Sequence, residues 1–505
     1  MNKVLIYTLI LPLFFINAVQ ISAEDAQKGA WEEEVVYYVL VDRFVNGTSS
    51  NDQVVDIDDP KAFRGGDIQR IIDNLDYIKG YGFTTINLSP IMKNAKKGYH
   101  GYWITDFRKM EPSFGTMDDM KELVKEAHDR NMKVIIDFPI QFTATTHPWT
   151  KDQNKKEWYK PNNYQFPNQP WLNEVSLLDL KNKDVQQEIL KTALFWLENT
   201  NIDGYRLKML EDVPPTFLSS LSSNLSKEKS DFILVGDMNG DVSDDTINTY
   251  LDQGTDSFVD PSFVEASTDV FSTFGESPKQ LYQRFLNKEA TYKDVTSRVI
   301  FLDSQETTRF TRKVILNKQN PITRWKLGLT YLYTTPGIPV VYQGSEIPMD
   351  NGKDVPDHQT SRVGGGDEDL KTYIEQLASI RIKFPALTKG DLTFVDDNGA
   401  MTLIKRTYED QTVYVAINND VSTKTIAIDE VPDGMQLTGL IQDNIVRKQK
   451  DGSYKIALDR ETADIFIVEE DTGINWLVVS FIGVVFGGFV LFIIALERKA
   501  KKNNN

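Results

Sequence analysis

The chain has 505 residues, 40% hydrophobic and 26% charged, with a formal net charge of −17 and no cysteine. That length exceeds one small core and calls for a large domain with a smaller companion. The acidic balance argues against a nucleic-acid partner, which would need clustered Lys and Arg, and the missing cysteines exclude disulfides as a source of stability.

Residues 1–23 carry one basic residue, an apolar run and the small pair Ser22-Ala23. They read as an export signal cut near Ala23, an uncleaved anchor being the alternative. From 24 to 388 short apolar runs alternate with amphipathic ones, the pattern of parallel strands joined by helices. "EVVYYVLVDRF" is a strand, "IQRIIDNLDYIKGYG" a helix with Gly82 just past its end, and "FTTINLSPI" the next strand. "MDDMKELVKEAHDRN" and "MKVIIDF" repeat the pair, and an aperiodic stretch of about 142–176 follows as an inserted loop region. Helix "DVQQEILKTALFWLENT" and the strands "DGYRLKM", "DFILVGDM" and "SRVIFLD" resume the alternation. So many repeats suit a (β/α)8 TIM barrel better than an open sheet.

Residues 389–470 change to short alternating runs such as "DLTFVDD" and "TVYVAINN", an antiparallel β-sandwich domain. Residues 475–496 form an apolar run long enough for a transmembrane helix, and 497–505 form a basic tail with Arg498, Lys499, Lys501 and Lys502. The expected partner of this end is therefore the cell membrane, with the tail cytoplasmic and the ectodomain outside.

Polar residues directly after barrel strands are the candidates for chemistry. Those here are Asp42 and Arg43, Tyr99 to Trp103, Asp137, Arg206 and Lys208, Asp237, and Asp303 to Glu306. The blocks around them resemble the α-amylase family of glycoside hydrolases. "YYVLVDRFVNG", "RGGDIQRIIDNLDYIKGYGFTTINLSPI", "GYHGYWITDFRKMEPSFGT", "LLDLKNKDV" and "TTPGIPVVYQGSEI" are similar to the family's blocks and occur in its order. The resemblance implies an α-1,4-glucan or maltooligosaccharide as ligand. It implies sugar contacts from Tyr99, His100, Tyr102, Trp103, Arg206 and Gln305.

The departures lie in the catalytic blocks. The family's Gly-Phe-Arg-x-Asp is "GYRLK", so Lys208 stands at the nucleophile position; Asp237 replaces the general-acid glutamate; Glu306 replaces the stabilising aspartate. Lys208 has no oxygen nucleophile, and between two acids it should remain an ammonium. A cation about 4 Å from a developing oxocarbenium costs about 4 kcal/mol at an effective dielectric near 20, about three decades in rate. Retaining hydrolysis should be closed; an inverting route needs the two carboxyls about 6.5–9.5 Å apart. Low or altered activity is expected, with a catalytically inactive glucan-binding or protein-interaction barrel as the alternative.

"NGTSSND" and "GGD" offer Asn46, Thr48, Asn51, Asp52 and Asp67, hard oxygen ligands suited to Ca²⁺. By resemblance, a second calcium site would use Gln141, in the family's Asn place, and Asp179.

Overall fold

The computed structural model describes residues 31–47, 51–56, 58–161, 173–238, 242–289, 291, 292, 294, 296–352, 358–471, 473 and 476–503. The export-signal reading of 1–23 and the candidate ligand Thr48 lie outside the described residues.

Eight parallel strands close into a barrel in sequence order: β1 (Val36–Val39), β2 (Thr85–Leu88), β3 (Lys133–Pro139), β4 (Gly204–Lys208), β5 (Ile233–Asp237), β6 (Ser257–Val259), β7 (Arg298–Ile300) and β8 (Ile338–Tyr342), with β8 back against β1. Helices pack outside. Their starts are written locally: Thr116 and Asp119 form a reciprocal capping box on Met117–His128, and Asn182 caps Lys183–Thr200 through its side chain. The single helix expected over "IQRIIDNLDYIKGYG" is two, Ile68–Asp73 and Leu75–Gly80. Asn74 breaks it, turning its amide back to the Arg70 carbonyl at 2.7 Å.

Strand residues alternate between the two layers. Tyr205 points outward and donates to the Ala193 carbonyl, while Val36, Ile135, Val235, Val299 and Ile338 fill the barrel interior with Trp31 against them. In the insertion, Phe142–Ala144 pairs antiparallel with Val175–Leu177. Trp149 stacks on Phe107, and Lys155 lies over the rings of Trp149 and Trp158, so these two tryptophans are engaged in packing. Tyr164 and Trp171 fall outside the described residues.

The C-terminal domain is a six-stranded antiparallel sheet covered by the pair Lys424–Ile428 and Tyr454–Leu458. Leu403, Tyr414, Ile426, Ile456 and Phe466 share the core between the two layers. A last helix runs Trp476–Asn503. Among the described residues no helix is long and apolar enough to cross a membrane. The transmembrane expectation for 475–496 is therefore not carried by the described residues.

Candidate active site

Parallel register builds the site. β3 and β4 align Asp137 with Arg206, and β4 and β5 align Lys208 with Asp237, so four charged side chains leave neighbouring strands at two successive levels, Lys208 and Asp237 two residues beyond Asp137 and Arg206. Lys208 Nζ lies 2.6 Å from Asp237 Oδ2 and 2.5 Å from Glu306 Oε1. Arg206 Nη2 reaches the same Asp237 oxygen at 2.5 Å, and its Nη1 is 3.8 Å from Asp137. The side chains of Lys208 and Asp237 are 3% and 5% exposed.

Burial pushes the Lys208 ammonium towards neutrality, but the carboxylates of Asp237 and Glu306 outweigh it and hold its pKa above the ordinary value. Burial likewise pushes the Asp237 carboxyl up; Arg206 and Lys208 prevail, and it stays below the usual carboxylate range. Asp237 is thus an anion with two cations on one oxygen, and has no proton to give a leaving group. The two acid oxygens, each bonded to Nζ, are at most 5.1 Å apart, the sum of 2.6 and 2.5 Å. An ammonium bonded to both acid oxygens stands where the attacking water of an inverting route would go.

Beneath this lies a hydroxyl network. Asp137 accepts from Tyr102 (2.5 Å), Tyr38 (2.9 Å) and Asn87 (3.0 Å). Tyr102 is fully buried, with His100 stacked beside it and accepting the Tyr102 N–H. Burial pushes His100 well below the ordinary imidazole range, helped by His358 and Arg43, so it is neutral. The Tyr99 hydroxyl meets His358 Nδ1 at 3.0 Å, and His358 Nε2 lies 2.7 Å from the Gln305 carbonyl. A carbonyl only accepts, so Nε2 carries the proton and Nδ1 accepts from Tyr99. Gln305 donates towards Tyr102 (3.4 Å) and Glu306 (3.3 Å). The loop holding Glu306 is tied by Asp303, which accepts from Ser345 (2.7 Å) and the Phe310 N–H (3.0 Å). Trp103 Nε1 and Gln305 Oε1 are buried without a hydrogen-bond partner among the described residues.

Residues 38–384 match the alpha amylase catalytic domain, and residues 390–466 the alpha-amylase C-terminal domain. The chain belongs to the α-amylase family. It is 30% identical to a Beta/alpha-amylase of Paenibacillus polymyxa over 86% of this chain, and spans 38% of that relative's length. A cyclomaltodextrinase of Thermoanaerobacter pseudethanolicus is 27% identical over 79% of this chain and 72% of its own length. Among solved structures, an Anoxybacillus α-amylase is 42% identical with a TM-score of 0.84, over 88% of this chain and 100% of that one. An α-amylase of Geobacillus thermoleovorans, solved with acarbose, is 37% identical with a TM-score of 0.82, over 88% and 100%.

Phe142, in the place the α-amylase family gives to histidine, joins an apolar cluster of Tyr102, Val175, Leu177 and Met209, with Trp103 against it. Sequence reasoning missed Tyr38 and His358; the adjacent tyrosines of β1, which a strand turns to opposite faces, were a signal for the first, and nothing local marked the second.

The calcium candidates divide. Asn46 donates to Asp52 at 2.9 Å, the Gly47 N–H lies 3.2 Å from Asp67, and Asn51 Oδ1 is buried without a hydrogen-bond partner among the described residues. An orphaned amide oxygen beside two carboxylates fits a hard cation. Among the described residues no three His, Cys, Asp or Glu side chains gather as a metal site, so a cation held by this loop would need amide oxygens as well. The two residues expected at the second site make local hydrogen bonds. Gln141 turns its amide N–H to the Met209 carbonyl, while Asp179 caps its own turn by accepting the Lys181 N–H at 3.0 Å.

Proposed function

We propose that this α-amylase-family barrel binds α-1,4-glucans or maltooligosaccharides without hydrolysing them at an ordinary rate. The observation that carries this is Lys208 Nζ bridging Asp237 and Glu306. The bridge puts a cation where a nucleophilic carboxylate is needed and holds the general-acid position ionised. Binding is supported by the retained Tyr99, His100, Tyr102 and Trp103. It is supported also by Trp103 Nε1 and Gln305 Oε1, a donor and an acceptor without a hydrogen-bond partner among the described residues. Relatives named for amylase and cyclomaltodextrinase activity, and one solved with acarbose, point to the same ligand class. Calorimetry with maltoheptaose should show binding, while chromatography of the same mixture should show product at least about a thousandfold below an active relative. Ordinary turnover would overturn the loss of chemistry, and no heat of binding would overturn the glucan reading.

The same reading includes export and anchorage. Trp476 to Leu496 contains no charged residue and is followed by Arg498, Lys499, Lys501 and Lys502; as helix it would run about 31 Å, enough for a hydrocarbon core of about 30 Å. The chain should sediment with membranes and lose its barrel to protease added outside intact cells. A chain found wholly in the soluble fraction would sink the anchorage.

A further inference from the structure

We propose that Lys208 and Asp237 join covalently, as an amide between Nζ and Cγ made by the folded chain itself, with Glu306 shuttling the protons. This rests on the reading of the centre given above, in which a lysine has taken the nucleophile's place among the remaining acids.

The geometry is that of a near-attack arrangement. Nζ is 2.6 Å from Oδ2, and with a carbon–oxygen bond of about 1.2 Å it lies within about 3.8 Å of Cγ, close to the roughly 3–3.5 Å of reacting atoms. The two residues are register partners on neighbouring strands, so their backbones cannot drift apart. Glu306 Oε1 touches Nζ at 2.5 Å, placed to take a proton from it. Arg206 Nη2 sits 2.5 Å from Oδ2, where charge develops as the carbon becomes tetrahedral. Nucleophile, base, electrophile and oxyanion donor are thus all present.

The step balances without a co-reactant. One ammonium proton passes from Lys208 to Asp237 Oδ1, leaving an amine and a carboxylic acid. The Nζ lone pair attacks Cγ, and Oδ2 takes up negative charge against Arg206. Glu306 removes a second proton from Nζ and delivers it to the departing Oδ1 hydroxyl. The Nζ–Cγ bond forms, the Cγ–Oδ1 bond breaks, one water leaves and nothing is oxidised or reduced. The resting ion pair makes the first transfer rare, so the reaction is slow; it has to occur once per molecule. In solution such a condensation is reversed by water. Here the held geometry supplies an effective molarity on the order of 10⁵–10⁸ M, and burial of both side chains removes the water that would drive the reverse step. The product also removes two buried charges, whose desolvation is costly.

Peptide mapping of the full-length chain, denatured and cut with trypsin, tests this. An amide at Lys208 blocks cleavage there, so residues 207–227 should appear joined to residues 230–279, with the summed mass lower by one water. Recovery only of linear peptides, with cleavage after Lys208, overturns the proposal. Samples taken at intervals after synthesis should show the joined species accumulating at least about tenfold more slowly in Glu306→Gln, with folding checked by circular dichroism. Equal rates overturn the shuttle. Lys208→Arg, which keeps the charge and removes the nucleophile, should show none; a joined species there overturns the assignment. A chain without the amide that also fails to hydrolyse glucan leaves the non-hydrolytic reading standing. Hydrolysis overturns that reading whether or not the amide is present.

Discussion

Until an amide forms, the buried ammonium at position 208 is held because two carboxylates meet it within hydrogen-bonding distance; with either removed, the desolvation it suffers would be only partly repaid. The substitution at 208 thus acts through its neighbours: towards a glucan, the remaining acids become counterions rather than reagents. His358 shows the opposite solution to burial, staying neutral. Burial drives its pKa down to about 3, with Arg43 and Arg309 adding to the effect and the Gln305 carbonyl opposing it. An unfolded chain binds this proton below about pH 6.5 and the folded chain only near 3, so the contribution is whole above about 6.5 and is lost as the pH falls, on the order of 5 kcal/mol in full. Urea midpoints should therefore drop between pH 7 and 4, and drop less in His358→Gln; an unchanged slope in that variant would refute the assignment. Lys208 was legible in the sequence because it interrupts a matched block. His358 was not, since it reaches Tyr99 across 259 positions from a stretch with no periodicity.

Among the elements, β4 and β5 do most to define the centre, and both are visible as apolar runs ending in a polar residue. β6 is only Ser257–Val259, too short for alternation to declare itself, and it exists because β5 and β7 offer edges on both sides. The helix break at Asn74 was hidden for a different reason: asparagine in a helical pattern is tolerated until its side chain finds a nearby carbonyl. The loop carrying Asn46, Asn51 and Asp52 packs beside the start of helix Ile68–Asp73, whose first turn Asp67 caps. Calcium there would tie loop to helix. Adding EGTA to the purified chain should lower Tm by several degrees, and Asn51→Ala should abolish the difference between calcium and EGTA. An identical Tm with and without the chelator would remove the calcium assignment.

At the scale of the whole molecule, the barrel and the sandwich are joined through buried arginines that donate to backbone carbonyls. Arg406 of strand Met401–Tyr408 bonds Thr334 at 2.5 Å, Leu387 at 3.0 Å and Gly390 at 2.8 Å, and burial lowers its pKa to about 9. Arg324 reaches Asn419 at 2.6 Å and Glu461 at 3.2 Å, while Asn419 donates back to the Val270 and Glu276 carbonyls. Such a joint should make barrel and sandwich unfold together. Arg406→Met, which orphans three carbonyls, should cost about 3 kcal/mol or split the transition in two, as calorimetry would show; a single transition at the native Tm would mean the joint contributes little. Apolar runs, caps and matched blocks were enough by themselves to specify a barrel of the α-amylase family with a β-domain behind it and a lysine at the nucleophile position, because these are properties of residues close in sequence. What that lysine does was decided only in three dimensions. Register set it beside Asp237, a loop nearly a hundred residues further on brought Glu306 to its other side, with |i−j| of 98, and closure of the barrel kept out the water that would have left these charges independent of one another.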